Sequence, residues 1–255
     1  MISQHYFTFP FQMPRVISQI RNWPLYLINY LLRRNRPAEY TLRDGFRLID
    51  SRGTLAGTIA VVFVRREYGR MQNYRTIVDI GANMGAFGVY AALACPNAKI
   101  YCFEPEERNF EVLKRNIAVN SLETRVRAFQ LAVASSNRDR EMAIGSSPLN
   151  SLVVKAAGLS QTVHCTTLRE ILQQQELETI DLLKMNCEGV EYEILAGCTN
   201  SEFERMPRIR LEYHNLDAVN QNGKWLAAYL TSQGYQIERF THYRGESGFI
   251  WAGRR

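Results

Sequence analysis

Cysteine is scarce in this 255-residue sequence, and its spacing argues against two kinds of small-protein architecture. The five cysteines include no C-x-x-C pair, and their odd number does not suit a complete disulfide framework. The same spacing disfavours a zinc site built from paired cysteines. We therefore predict reduced thiols, a cytoplasmic location and no resident metal.

Internal repeats and low-complexity tracts are also lacking, and the apolar N-terminal stretch is too short to cross a membrane. This stretch, PLYLINYLLRR at residues 24–34, has 11 residues, whereas a spanning helix needs about 20. It lies too far along the chain for a signal peptide and lacks a small-residue cleavage site. Asn22 is a suitable N-cap, so we predict a short helix that packs on the protein.

Positive charge is concentrated in the N-terminal region. Residues 1–52 contain eight arginines and three acidic residues, which accounts for +5 of the net charge of +6. Such a segment could contact an anionic membrane surface or a nucleic acid, or form a solvated arm. We expect an N-terminal extension over residues 1–70 and a main domain over residues 71–255. Peripheral membrane contact and homodimer formation are open roles for the extension.

Hydrophobic periodicity predicts an α/β fold. Alternating runs at residues 40–50 and 55–64 predict strands, with Asp44 and Gly45 at a hairpin turn. From residue 76 onward strands alternate with helices, which requires a mostly parallel sheet covered on both faces. The last two strands lack an intervening helix, so one closing strand runs antiparallel. The predicted strands are residues 76–80, 99–103, 126–131, 162–165, 180–185, 208–213, 235–240 and 249–252, the predicted helices are residues 85–94, 106–120, 168–175, 191–197 and 218–233, and a further hairpin is predicted at residues 141–154.

The most informative motif is TIVDIGANMGAFGVYAALA at residues 76–94, an apolar strand followed by a glycine-rich turn and a helix. Gly81 and Gly85 permit a sharp bend and a close approach of the backbone to a ligand. The next strand ends at Glu104, which lies 19 residues after Gly85. A carboxylate at this distance is typical of residues that bind both ribose hydroxyls of a nucleoside cofactor.

The glycine pattern favours S-adenosylmethionine over a dinucleotide. A dinucleotide fingerprint has a central glycine that admits the pyrophosphate, but Asn83 occupies that position here. The Asn83 side chain would crowd a pyrophosphate, yet it could hydrogen-bond an amino-acid tail. Asp79, just before the turn, offers a carboxylate to the ammonium group of a methionine moiety. A nicotinamide cofactor stays open as the alternative.

Four stretches together resemble the FkbM family of S-adenosylmethionine-dependent methyltransferases. They are IVDIGANMG at residues 77–85, YCFEPE at residues 101–106, IDLLKMNCEGVEYE at residues 180–193 and LEYH at residues 211–214. The resemblance runs from about residue 40 to the end of the sequence. It implies the Rossmann-like class I methyltransferase fold with a seven-stranded sheet. It also implies methyl transfer to a hydroxyl of a sugar, glycolipid or secondary metabolite.

The resemblance assigns a cofactor site as well. It implies that Tyr68 either closes over the methionine tail or is a core residue, and that Ala132 lies near the adenine. At position 186 the family usually has an aspartate, and the neutral amide of Asn186 cannot act as an anionic metal ligand, so we predict no metal site. The residues implied at the cofactor are Tyr68, Asp79, Gly81, Ala82, Asn83, Gly85, Glu104, Ala132 and Asn186.

A hydroxyl acceptor benefits from a nearby base, and His214 is the best candidate among four histidines. Glu212 lies two residues earlier on the same strand, so both side chains share one face, and Glu212 could orient the imidazole or bind the substrate. Glu188, at the start of a helix, could face the substrate. His164 lies in an apolar stretch and is expected in the core. The predicted hairpin could place residues 150 and 151 beside the acceptor.

Two other functions stay open. The sequence pI of about 9.1 would suit an RNA methyltransferase. However, residues 186–188 lack the (N/D)-P-P-(Y/F) string common in enzymes that methylate base amines, and the core lacks interleaved aromatic and basic residues. A domain that binds the cofactor without turnover is the third alternative. We therefore predict a small-molecule or glycan acceptor and disfavour nucleic acid.

Overall fold

The computed structural model describes residues 9–32, 36–71, 73–143, 160–216, 218–243 and 247–254. Residues 150 and 151, suggested above as acceptor contacts, lie outside these ranges. The five cysteines are free thiols, three of them buried.

The N-terminal region forms two helices and a hairpin. Helix α1 (Phe9–Gln19) was not predicted from the sequence, whereas α2 (Trp23–Leu32) corresponds to the predicted short helix. Strands β1 (Ala38–Thr41) and β2 (Arg47–Asp50) pair antiparallel. Gly45, in the turn between them, has φ +94°, a conformation that favours glycine. The hairpin expected at this turn is therefore confirmed.

Helix α2 packs on the protein with one face, as expected. Tyr26 is fully buried, and Asn29 Nδ2 donates a hydrogen bond of 3.0 Å to the Tyr40 hydroxyl. The opposite face is apolar and exposed, since four leucine and isoleucine side chains at residues 25, 28, 31 and 32 are between 39% and 58% exposed. No helix in the part of the chain that the structure describes is both long enough and apolar enough to span a bilayer.

Residues 55–64 are helical, so the strand predicted there is wrong. Helix α3 (Leu55–Ile59) continues into one π-helical segment (Ala60–Arg65). The Asp50 carboxylate accepts the backbone N–H groups of residues 52–55 at 2.6–3.2 Å, and it thereby satisfies donors at the helix start. Neighbouring rather than alternate side chains are buried along this segment. A short apolar run does not by itself distinguish a buried helix from a strand.

The main domain alternates strands and helices in the predicted order. The predicted hairpin at residues 141–154 is corrected, because β7 pairs antiparallel with a strand at residues 160–163. In chain order the elements are β3 (Thr76–Ile80), α4 (Ala86–Ala94), β4 (Lys99–Phe103), α5 (Glu107–Ala118), β5 (Val126–Phe129), β6 (Ala132–Val133), β7 (Arg140–Ala143), β8 (Ser160–Val163), β9 (Cys165–Thr166), α6 (Leu168–Gln174), β10 (Leu182–Met185), α7 (Glu191–Ala196), α8 (Asn200–Glu204), β11 (Arg208–His214), α9 (Gly223–Ser232), β12 (Gln236–His242) and β13 (Ser247–Gly253).

Seven strands form one sheet in the order β12-β13-β11-β10-β3-β4-β5. Strand β13 runs antiparallel to both of its neighbours, and the strands from β11 to β5 are parallel. The mostly parallel sheet with one antiparallel closing strand is therefore confirmed. The strand order reverses between β3 and β10. Ligands of open α/β sheets bind beyond the carboxyl ends of the strands at such a switch point.

Both faces of the sheet are buried. Ile77 and Ile100 belong to a hydrophobic cluster that includes side chains of α4 and α5, whereas Val78 and Tyr101 belong to a second cluster that includes side chains of α6, α7 and α9. Because successive strand residues point to opposite faces, the two clusters lie on opposite sides of the sheet. Residues of α1, α2 and the π-helical segment join the first cluster, so the N-terminal region shares a core with the main domain.

Asn116 of α5 fastens the N-terminal hairpin to the glycine-rich turn. Its Oδ1 accepts from the Ile49 backbone N–H at 2.6 Å, and its Nδ2 donates to the carbonyl oxygens of Ile49 and Met84 at 3.1 and 2.7 Å. The side chain is fully buried. A buried amide with satisfied donors and acceptors holds both backbone segments in register with α5.

Candidate active site

The turn after β3 is held to the neighbouring strands by its own backbone. The N–H groups of Gly81 and Ala82 both donate to the Phe103 carbonyl at 3.0 Å. Gly81, Asn83 and Gly85 have φ of +71°, +51° and +86°. Asparagine tolerates the left-handed region better than most residues, and the Asn83 Oδ1 accepts from the next backbone N–H at 2.7 Å. The turn is therefore fixed without any ligand.

The two glycines are required by protein contacts. A Cβ on Gly81 would lie 1.8 Å from the backbone oxygen of Asn186, and a Cβ on Gly85 would lie 2.6 Å from Leu113 Cδ1. The turn thus approaches the backbone at the end of β10 more closely than a side chain would allow, whereas near α5 the overlap is with the end of the flexible Leu113 side chain. The observed close approach is to the protein at the end of β10, and the close approach to a ligand stays a prediction.

Glu104 ends β4 beside this turn. Its Oε2 accepts from the Asn83 backbone N–H at 2.8 Å, and its Oε1 accepts from the Glu106 backbone N–H at 3.1 Å. Burial raises the pKa of the Glu104 carboxyl to about 7, although these backbone hydrogen bonds oppose the rise. A carboxylate is thereby placed at the carboxyl edge of the sheet, directly against the glycine-rich turn.

A buried ion pair lies beneath the turn. Asp79 and Lys184 occupy paired positions of β3 and β10, and Lys184 Nζ lies 2.7 Å from Asp79 Oδ1. Lys184 Nζ also donates to the Gly81 carbonyl at 2.9 Å. Burial raises the pKa of Asp79, and the Lys184 charge opposes that rise. Asp79 is fully buried, and its charge is compensated by Lys184, a residue that the sequence analysis missed.

Asn186 follows β10 and joins the turn to β11. Its Nδ2 donates to Glu212 Oε2 at 3.0 Å. Its Oδ1 is buried, and no hydrogen-bond donor reaches it within the described ranges. Burial raises the pKa of Glu212, while the charges of His214 and Lys184 lower it. The site therefore contains an acceptor oxygen that the protein itself leaves unsatisfied, which is uncommon for a buried polar atom.

Three carboxylates surround His214. Nε2 lies 3.3 Å from Glu188 Oε2, and Nδ1 lies 3.3 Å from Glu191 Oε1, which also accepts the His214 backbone N–H at 2.7 Å. Burial alone would lower the pKa of His214, but the contacts with Glu191 and Glu188 and the charge of Glu212 raise it to about 9. Burial raises the pKa of Glu188 to about 7. The imidazole is therefore charged at neutral pH.

Two details of the predicted base assignment are wrong. Glu191 and Glu188, not Glu212, contact the imidazole nitrogens, because the start of α7 reaches the end of β11. His164 is not a core residue, since its side chain is 76% exposed and its Nδ1 lies 2.9 Å from Asp139 Oδ1. Among the residues described, no group of three or more histidine, cysteine, aspartate or glutamate side chains is arranged to hold a metal ion.

Tyr68 lies beside Lys184, whose Nζ is 5.4 Å from the centroid of the Tyr68 ring, whereas Ala132 belongs to another buried cluster. Tyr68 is buried between the rings of Phe87 and Phe249, at centroid distances of 5.3 and 5.4 Å. Burial raises its pKa, and the nearby charges of Glu212 and Asp79 raise it further. Ala132 is buried in the short parallel ladder of β6 and β9, beyond the end of β5.

The methyltransferase FkbM domain model matches residues 79–237, which is more than half of the chain. The matched range includes the glycine-rich turn, Glu104, Asn186 and His214. The chain belongs to the FkbM methyltransferase family. The resemblance found in the sequence is confirmed, and this FkbM-family protein is a methyltransferase.

Two curated relatives support the assignment. Methyltransferase sdnD of Sordaria araneosa is 29% identical over 195 residues, covering 64% of this chain and 74% of the relative. The 31-O-demethyl-FK506 methyltransferase FkbM of Streptomyces tacrolimicus is 22% identical over 175 residues, covering 56% of this chain and 66% of the relative.

A solved structure supports the fold. Methyltransferase FkbM from Methylobacillus flagellatus superposes with a TM-score of 0.53 at 16% identity, covering 75% of this chain and 47% of that protein. The FkbM-family chain described here thus aligns with about half the length of the solved relative.

Replacing Gly81 with alanine tests the close approach of the turn to β10. The new Cβ would overlap the Asn186 backbone oxygen at a φ of +71°, so Gly81→Ala should lower the free energy of unfolding by about 3 kcal/mol or more. Gly57→Ala is the matched control. Gly57 lies in α3 with no atom within 4 Å of the added Cβ, so this variant should gain about 0.5–1 kcal/mol. Urea unfolding followed by circular dichroism measures both, and equal stability of the two variants would contradict the contact.

The charged state of His214 predicts a pH-dependent stability. Its pKa rises from 6.5 to about 9 on folding, so the stabilising charge is fully present below pH 6.5 and is lost as pH rises through 9. The difference in free energy of unfolding between wild type and His214→Gln should therefore shrink over this range. In a Glu191→Gln background the difference should disappear at lower pH, because a contacting carboxylate is gone. A difference that grows with pH would refute the ion pair.

Proposed function

We propose that this FkbM-family protein transfers the methyl group of S-adenosylmethionine to a hydroxyl of a sugar, glycolipid or other secondary metabolite. The observation that carries the proposal is that one edge of the sheet holds both the Glu104 carboxylate, suited to ribose hydroxyls, and the largely buried Glu188–His214 pair. Glu104 lies at the glycine-rich turn. Glu188, which follows β10, faces His214 at the end of β11. Strand ends at this edge are where such folds place ligands.

The polar groups at the turn fit the parts of the proposed donor. Glu104 has the position from which a carboxylate accepts hydrogen bonds from two ribose hydroxyls. The unsatisfied Asn186 Oδ1 suits an ammonium donor such as that of a methionine moiety. Asp79 contributes through Lys184, which holds the Gly81 carbonyl, so we assign Asp79 a positioning role. When bound, the donor supplies a methyl group on a sulfonium, which transfers by in-line displacement.

Glu188 is the proposed base. His214, with a pKa of about 9, is protonated at neutral pH and cannot accept a proton. Glu188, with a pKa of about 7, is close to the value that favours proton transfer at that pH. The Glu188 carboxylate would take the proton of the acceptor hydroxyl, and bound S-adenosylmethionine would supply the methyl group to that oxygen, its sulfur leaving as a neutral thioether. His214 holds Glu188 in place, and Glu212 holds Asn186.

The names of the relatives bear on the acceptor. The Streptomyces tacrolimicus relative is named for 31-O-demethyl-FK506, which supports transfer to oxygen on a metabolite. An RNA acceptor and a donor-binding domain without turnover are the competing proposals.

We also propose that residues 1–70 form an extension that borders the acceptor side of the main domain. Arg65, at the end of the π-helical segment, lies near enough to Glu212 to lower its pKa, although burial and other charges have larger effects. Peripheral membrane contact and homodimer formation through this extension remain predictions, as does the cytoplasmic location.

Calorimetry tests the donor. Wild-type protein should bind S-adenosylmethionine, and Glu104→Gln should weaken the affinity by about tenfold or more, because hydrogen bonds to a charged acceptor are lost. The control is Glu107→Gln, a change at an exposed glutamate in the first turn of α5, and this variant should bind as wild type does. Binding of NADH without binding of S-adenosylmethionine would reject the proposal.

Transfer from labelled S-adenosylmethionine to fractionated sugar, lipid, small-metabolite and RNA pools tests the acceptor and the base. Label should enter a hydroxyl-bearing metabolite, sugar or lipid fraction. Glu188→Gln should lower kcat by about 100-fold or more while donor affinity stays unchanged, because a general base is lost. Label confined to RNA would favour the RNA proposal, and donor binding without label in any pool would favour the domain without turnover.

A further inference from the structure

A polar cavity lies beside the N-terminal helix α1. It has a volume of about 410 Å³ and lies between helix α1 and the turn that follows the π-helical segment. Its lining consists of Gln12, Pro14, Arg15, Ser18, Arg66 and Arg70. Three of these six residues carry a positive charge and none carries a negative charge. A cavity with this lining concentrates positive potential.

The three arginines lack the partners that other arginines of this protein have. Within the described ranges, no ion pair joins Arg15, Arg66 or Arg70 to a carboxylate. By contrast, arginines at positions 47, 52, 140, 169 and 239 each pair with a glutamate. Three arginines without a carboxylate partner among the described residues therefore meet at this cavity.

The acidic side chain next to Arg66 in the sequence is engaged elsewhere. Glu67 follows Arg66 directly, but its Oε2 lies 2.8 Å from Arg239 Nη2, and its Oε1 accepts from the Tyr243 hydroxyl at 2.5 Å. The sequence has no aspartate or glutamate before Glu39, so the residues that precede α1 cannot supply a counter-charge. Among the described residues, no carboxylate pairs with these three arginines, which leaves them available to an anionic ligand.

The backbone orients the Arg15 guanidinium, and Arg66 lies in a tight turn. Arg15 Nη1 donates to the Val64 carbonyl at 2.9 Å, which fixes the guanidinium against the π-helical segment. Arg66 has φ +55°, and its carbonyl accepts from the Gly69 N–H at 2.8 Å in a tight turn. Arg66 Nε is buried and makes no hydrogen bond with the described residues. Strained backbone and unsatisfied donors of this kind are typical of ligand sites.

We propose that this cavity is a binding site for a phosphate group. Guanidinium groups present paired N–H donors that match phosphate oxygens, and several of them together compensate its charge. The phosphate comes from a soluble phosphate compound or from the headgroup of an anionic lipid. Phosphate binding to this cavity is measured without donor or acceptor.

Calorimetry with inorganic phosphate tests the site. Wild-type protein should bind phosphate, and chloride at the same ionic strength should produce no binding signal. Arg70→Gln should weaken the affinity, and Arg66→Gln/Arg70→Gln should weaken it by about tenfold or more, because charged hydrogen bonds are lost. The matched control, Arg115→Gln/Arg138→Gln, removes two exposed arginines elsewhere and should bind as wild type does.

Thermal unfolding without phosphate checks that the variants fold. Arg70 is exposed and makes no ion pair with the described residues, so Arg70→Gln should unfold as wild type does and remain informative if the double variant fails to fold. Arg66→Lys, which keeps the charge but loses the planar fork, should also bind phosphate more weakly. Equal phosphate affinity in wild type, Arg70→Gln and Arg66→Gln/Arg70→Gln would overturn the proposal, as would no binding by wild type to either phosphate source.

Sedimentation with vesicles identifies the source. Retention on phosphatidylcholine vesicles that contain phosphatidylglycerol, with loss of retention in Arg66→Gln/Arg70→Gln, would assign the phosphate to a lipid headgroup. Phosphate binding without vesicle retention would assign it to a soluble compound. Vesicle retention that is equal in wild type and the double variant, together with equal phosphate affinity, would reject the cavity as the site.

Discussion

One buried ion pair organises the carboxyl edge of the sheet. Asp79 and Lys184 face each other across β3 and β10, almost completely removed from water. A charge in that position is tolerated only with its partner, and removal of one partner typically costs about 3–5 kcal/mol. Lys184 also binds the Gly81 carbonyl, so the same pair ties the glycine-rich turn to the strand that leads to Asn186 and the start of α7.

In this arrangement three carboxylates and one imidazole lie close together, and their charges and burial shift the pKa values at the site. With the turn held against β10, Glu188, Glu191 and Glu212 converge on a single imidazole. Burial raises the pKa of the Glu188 carboxyl, whereas the pKa of His214 is raised by the neighbouring carboxylates in spite of its burial. A site with one protonated imidazole and one carboxyl near neutral pKa is suited to accept a proton from a hydroxyl.

Sequence reasoning succeeded where local pattern decides structure and failed where contacts between distant segments decide it. The alternation of predicted strands and helices located every strand of the main sheet, and the turn residues Asp44 and Gly45 predicted the hairpin. The apolar run at residues 55–64 is helical because Asp50 accepts hydrogen bonds from N–H groups at the helix start and because side chains on most sides of the helix are buried. Lys184 could have been found, since buried charges of opposite sign in adjacent central strands require each other.

The sequence by itself determined the order of strands and helices, the family, and the position of Glu104 at the end of β4, because each follows from periodicity or from a contiguous motif. Only the tertiary structure decided which carboxylates contact His214. Alternation states which face a side chain occupies, but not which helix start approaches it. The unpaired arginines around α1 were likewise invisible in the sequence, since charge pairing depends on distances between segments far apart in the chain.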